Sequence, residues 1–181
     1  MATPTTLPAT FVAGDVLTAA QMNDLRGAFR VLQVVSTLKS DTFSTTSTSF
    51  VDVTGLSVTI TPSATASKVL VLVQVNSGMS GDITNYLQLV RDSTAIDIGA
   101  ASGGSPLASI STAMFGGTWQ SLLTTPGVLT FLDSPATTSA TTYKIQQKVN
   151  TGTGYVNRTG RDNGSTDART ASTITVMEIS A

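Results

Sequence analysis

Residues 69–75 read VLVLVQV. The run is apolar on both faces of an extended segment, the pattern of a central strand covered on two sides. Its purely aliphatic part, Val69 to Val73, is far shorter than the roughly 20 residues needed to cross a bilayer. A membrane is therefore not an expected partner. Outward from this run, Val31–Leu38, Phe50–Ile60 and Lys68–Val75 are rich in Val, Ile, Leu and Thr and are separated by Ser/Thr/Gly/Pro clusters, as strands are. In YKIQQKV, Tyr143, Ile145, Gln147 and Val149 share one face, and Lys144, Gln146 and Lys148 share the other. In STITVMEI, Ile174, Val176 and Glu178 alternate with Thr173, Thr175, Met177 and Ile179. Both faces of that last strand are partly apolar, so it is expected to lie between a core and an interface. Further strands are expected at 83–91, 94–99, 107–115, 118–124, 127–132 and 154–159. Eight or more short strands about ten residues apart, with no helical pattern between them, predict an all-β, antiparallel β-sandwich or jelly roll. The polar, Gly-rich stretches at 102–106 and 159–169 read as exposed connections at its ends.

The chain of 181 residues suits one domain with a real core, expected at 31–181, preceded by an arm and short helix at 1–30. Only 12% of residues are charged and the net charge is −1, so charge repulsion does not hold the chain open. Ten Lys and Arg, scattered and offset by eleven carboxylates, give no footprint for a phosphate backbone, and nucleic acid is not an expected partner. Cysteine is absent, which leaves stability to packing or assembly. The start, MATPTTLPATFVAGD, does not resemble a secretory signal.

Within 1–30, residues 1–10 hold two prolines and four threonines and read as an extended arm. Thr18 is placed as an N-cap, with Gln21 completing a Thr-x-x-Gln capping box and Leu17 and Met22 forming a hydrophobic staple. Met22, Leu25 and Phe29 then follow at helical spacing, one apolar stripe on about three turns. A helix this short is marginal alone and needs a surface, either its own sandwich or another protein.

Chemistry is thinly supplied. There is no His, which rules out Ser-His-Asp triads and imidazole metal sites built from this chain. The remaining acid/base route is a carboxylate pair, but Glu178 is the only Glu, and Asp82, Asp92, Asp97, Asp133 and Asp162 read as turn residues. Residues 161–167, RDNGSTD, depart from a calcium-loop spacing and read as a solvated hairpin. Asn157-Arg-Thr and Asn163-Gly-Ser are chance glycosylation tripeptides of a Ser/Thr-rich chain. Gly103-Gly104 and Gly116-Gly117 read as bulges or tight turns. Trp119 is expected in the core or at a subunit contact, with an aromatic sugar platform as the alternative. No catalytic residue, metal or cofactor is expected.

FVAGDVLTAAQMN at 11–23 resembles the start of small jelly-roll virion structural proteins of tailed bacteriophages, and GTGYVNR at 152–158 with RTASTITVMEI at 169–179 is similar to their C-terminal strands. The resemblance implies a non-enzymatic virion protein and a homotrimer. It implies docking, through Phe11, Val12, Leu17, Met22, Leu25 and Phe29, on another virion protein such as the major capsid protein or a tail or portal-vertex protein. Capsid cement or decoration is the leading role. The alternative is a tail-fibre or head-fibre head that binds host surface glycan through Trp119, Tyr155 or Asp162.

Overall fold

The structure, a computed structural model, describes residues 31–113 and 120–180 together with Val16 and Ala19. The expected arm and helix, with Phe11, Val12, Leu17, Met22, Leu25 and Phe29, and also Gly116-Gly117 and Trp119, lie outside the described residues.

Among the described residues eleven strands follow in order: β1 (Val31–Lys39), β2 (Phe43–Thr45), β3 (Val51–Ile60), β4 (Lys68–Met79), β5 (Thr84–Arg91), β6 (Thr94–Ile96), β7 (Ile110–Ala113), β8 (Thr124–Asp133), β9 (Thr141–Val149), β10 (Gly154–Val156) and β11 (Ser172–Ile179). They form a six-stranded and a five-stranded sheet in which every pairing is antiparallel. β4 is central: β8 runs along one side of it, and β11 and then β10 share the other side. β1 borders β11, and β2 borders β10. The second sheet runs β3-β9-β5, with β6 and β7 dividing the free edge of β5. Each sheet is thus four strands wide. Successive long strands cross from one sheet to the other, which is the jelly-roll winding.

The alternation read from the sequence decides which side chains meet between the sheets. Val69, Val71, Val73 and Val75 of β4 face Leu87 and Leu89 of β5, Tyr143 and Ile145 of β9, and Val53, Leu56, Val58 and Ile60 of β3 within one buried cluster that also holds Ile174 and Val176. β3 keeps its apolar side inward only by means of a bulge between Asp52 and Ser57, where Gly55 takes a left-handed φ of 81°.

Several boundaries differ from expectation for local reasons. β6 stops at Ile96 because Asp97 turns to φ 51°, and β10 stops at Val156 because Asn157 turns to φ 63°. The described part of 118–124 is a 3-10 turn, Gln120–Leu122, and β8 begins only at Thr124. β2 is additional: three residues count as a strand because β10 offers them an edge. Asp133 is not a turn residue. It ends β8 with its side chain inside the sandwich, where Arg91 Nη1 reaches both carboxylate oxygens at 2.8 Å and the Tyr143 hydroxyl donates to Oδ2 at 2.6 Å. Burial, then the bond to Asp133, pushes the Tyr143 phenol far above its ordinary range, so it remains a donor.

Candidate interaction surface

The two sheets present outer faces of opposite chemistry. On the five-stranded sheet, Lys144 Nζ lies 2.8 Å from Asp52 Oδ2 and Gln146 Nε2 donates to Asp52 Oδ1 at 2.6 Å; the pair holds the Asp52 carboxyl below its usual range, Lys144 first and Gln146 next. Gln88 Nε2 donates to Gln146 Oε1, Thr59 meets Thr142 at 2.8 Å, and Lys148 Nζ stands over the rings of Phe50 and Tyr86 at 4.7 and 5.4 Å. This is a solvated ladder of polar and charged cross-strand pairs.

The outer face of the six-stranded sheet is mostly apolar, with Lys68 bonded to Ser134 at one end and Ser36 to Thr175 within it. Register places Val34, Met177, Leu70 and Leu132 in one row across β1, β11, β4 and β8. The next rows are Ser36, Thr175, Leu72 and Thr130, then Leu38, Thr173, Gln74 and Val128. None of these twelve residues carries a charge. Val34, Leu38, Leu132 and Val128 are 54, 64, 54 and 70% exposed, while Leu70, Leu72 and Met177 are half-buried. The prediction from VLVLVQV is met on the inner face of β4. On its outer face, Leu70 and Leu72 are covered only in part by described residues. β11 likewise has Ile174, Val176 and Glu178 inward and Thr173, Thr175, Met177 and Ile179 outward. A shallow groove of about 270 Å³ runs between Leu72, Gln74, Val128, Thr130, Thr173 and Thr175.

Of the three residues proposed for a glycan, the structure describes Tyr155 and Asp162 and brings them together through Arg158. The Arg158 guanidinium lies 4.2 Å from the centre of the Tyr155 ring, and its Nη1 is 3.3 Å from Asp162 Oδ2. Arg169 Nη2 completes the group at 2.7 Å from the same oxygen. One face of the ring and the whole carboxylate are thereby committed. The neighbouring 161–167 segment is pinned rather than loose: Asp167 accepts from Arg161, Thr159 and the Asn163 N–H, and these bonds, Arg161 foremost, hold its carboxyl well below the usual range. Asn157 is fully buried, donating to the carbonyls of Lys39 and Asp41 and accepting from Ser172 Oγ, which leaves no room for an N-linked sugar.

The inner row at the opposite end of β4 reads Gln33, Glu178, Val69, Asp133. Sequence reasoning did not foresee that two carboxylates flank Val69 there. Both are buried and engaged, Asp133 as above and Glu178 by Ser63 N–H at 2.7 Å, Ser63 Oγ at 2.6 Å and Gln33 Nε2 at 2.7 Å. Among the described residues no group of three or more His, Cys, Asp or Glu converges, and no helix is long and apolar enough to cross a membrane.

Fold and surface together define a jelly-roll domain with one solvated outer sheet face and one that is largely apolar across three uncharged rows. No family model and no curated protein matches the chain. Among solved structures it is similar, over 82% of its length, to a chain in the structure of infectious bursal disease virus, Gt strain, at 13% identity and a TM-score of 0.44. It spans 38% of that chain.

Proposed function

We propose that this chain is a non-enzymatic structural protein of a bacteriophage virion, a trimeric jelly-roll knob of the capsid cement or decoration kind. Residues 1–30 hold it to the particle, with Phe11, Val12, Leu17, Met22, Leu25 and Phe29 as apolar anchors on another virion protein. The reading is carried by the three uncharged, largely apolar rows on the outer face of the six-stranded sheet, a surface suited to assembly and costly to leave in water. The resemblance of residues 11–23 to phage virion arms supplies the particular setting. Deleting residues 1–30 is expected to leave a folded trimer that no longer joins the particle, scored by its copy number in purified virions. Incorporation of the truncated protein at normal stoichiometry would sink the anchor.

A glycan-binding fibre head is the second reading, favoured by the gathering of Tyr155, Arg158 and Asp162 at one end of the sandwich, where binding loops collect. Glycan-array binding that is lost in folded Trp119→Ala or Tyr155→Ala protein would favour it over cement.

A further inference from the structure

We propose that the outer face of the six-stranded sheet is where a second copy of this chain seats; this rests on the homo-oligomer reading above and gives it a surface. Charge, polar satisfaction, relief and size each support that occupant. A partner chosen by charge would need an opposite charge to meet, and the twelve side chains of the three rows offer none. A copy of the same three rows brings an equally neutral surface, so none of these side chains sets an ion against its partner; the nearest charge, Lys68, stands in the bordering row with Ile179, bonded to Ser134.

The polar atoms of the middle row are also partly provided for. Ser36 Oγ and Thr175 Oγ1 bond each other at 2.7 Å, so covering them leaves that pair satisfied. In relief, the face carries both a projection and a recess. Val128 and Leu38 are its most exposed apolar side chains, and the groove beside them, about 270 Å³ and lined by Leu72, accepts an aliphatic side chain of their size. With knob and hole on one surface, the projection of one copy can enter the recess of the next around a three-fold axis. Finally, Val34, Leu38, Val128 and Leu132 stand between 54 and 70% exposed on this face. Together with the half-buried Leu70, Leu72 and Met177 they form one patch across all four strands, the apolar centre of an interface whose usual scale is about 800 Å² per partner.

The test uses the full-length chain. Sedimentation of the wild type at about 10 μM is expected to give the oligomer, and Leu38→Glu/Val128→Glu the monomer. Thr59→Glu, on the outer face of the other sheet, is expected to leave the mass unchanged. Because the chain has no cysteine, Val128→Cys and Leu38→Cys with a short bis-maleimide should give covalent products between copies even where a charged variant folds poorly. A monomeric wild type overturns the oligomer reading and this surface with it. An oligomeric wild type whose Leu38→Glu/Val128→Glu variant keeps its mass overturns the surface alone. Cross-linking of Met22→Cys to Val128→Cys within one chain, without products between copies, assigns the face to this chain's own amino-terminal segment and overturns the proposal.

Discussion

Glu178 holds a negative charge inside the sandwich with only neutral donors reaching it. Burial pushes its pKa up, but hydrogen bonds from Ser63 foremost, then Gln33 and Ser67, outweigh that and bring it from 4.5 down to about 2. A depressed folded value means that the stability is present in full above the unfolded value and is lost as pH falls from about 4.5 towards 2. A shift of this size corresponds to about 3 kcal/mol. Glu178→Gln is therefore expected to lower stability at pH 7 by roughly 2–3 kcal/mol and to flatten the loss between pH 4.5 and 2. Chemical denaturation of both proteins across that range checks it; parallel profiles would refute the assignment. Asp133 makes a second case. Arg91→Ala strands its buried carboxylate beside Tyr143 and should cost about 3–5 kcal/mol, whereas Arg91→Met/Asp133→Leu should recover much of that loss. Sequence reading put Glu178 on one face with Ile174 and Val176 by alternation, a face that the structure makes the inward one. It misread Asp133, because the partner that makes it a core residue lies 42 positions away in the sequence.

At the scale of elements, legibility followed length. The sequence spans read for β1, β3, β4, β9 and β11 each show enough alternation or β-branched density to mark a strand, and the boundaries fell within a few residues. β2, β6, β7 and β10 have four residues or fewer, and each exists because an edge is there to receive it. The strands expected at 94–99, 107–115 and 154–159 overlie β6, β7 and β10 but run too long, because composition does not say where the receiving edge ends; β2 is not expected at all. β10 shows how tight such a fit is: a Cβ on Gly154 would collide with Asn85 Oδ1, Gln147 Nε2 and Val149. Those first two atoms are themselves a buried hydrogen bond of 3.0 Å. Gly154→Ala is thus expected to destabilise by more than the 1–3 kcal/mol typical of overpacking, since it also breaks that bond. Thermal unfolding would show it, and a melting temperature within a degree of wild type would contradict it. Asn157 ties the ends of β1, β4 and β10 together by side chain and backbone, so Asn157→Asp sets a carboxylate against two carbonyl oxygens and should cost about 2–4 kcal/mol.

For the molecule as a whole, the consequential pairing is β11 between β1 and β4. The last strand fills the centre of a sheet whose edge is the first strand, joining Val31 to Ile179. β11 can take its place between β1 and β4 only once residue 179 is present, and non-local pairing of this kind folds slowly, in milliseconds to seconds or longer. Stopped-flow refolding is expected to show that timescale, and a chain lacking residues 172–181 is expected not to fold. The sandwich was legible because alternation survives translation from sequence to sheet. The apolar outer face was legible only in fragments, as the two-sided character of β4 and β11, because the row it forms with Val34 and Leu132 is a property of register, and register is written in no single strand.

The adjacency of Val31 and Ile179 also decides how this protein can be used to carry cargo. β4 alone, at twelve residues, is about 40 Å long, and the segment from Asn157 to Arg169 lies by its far end, where Asn157 meets Asn76 and Arg161 meets Ser121. A peptide fused after Ile179 would emerge beside Val31, where the chain enters the sheet. Grafted between Asn163 and Ser165, the same peptide would be displayed at the other end of the sandwich, a strand's length away.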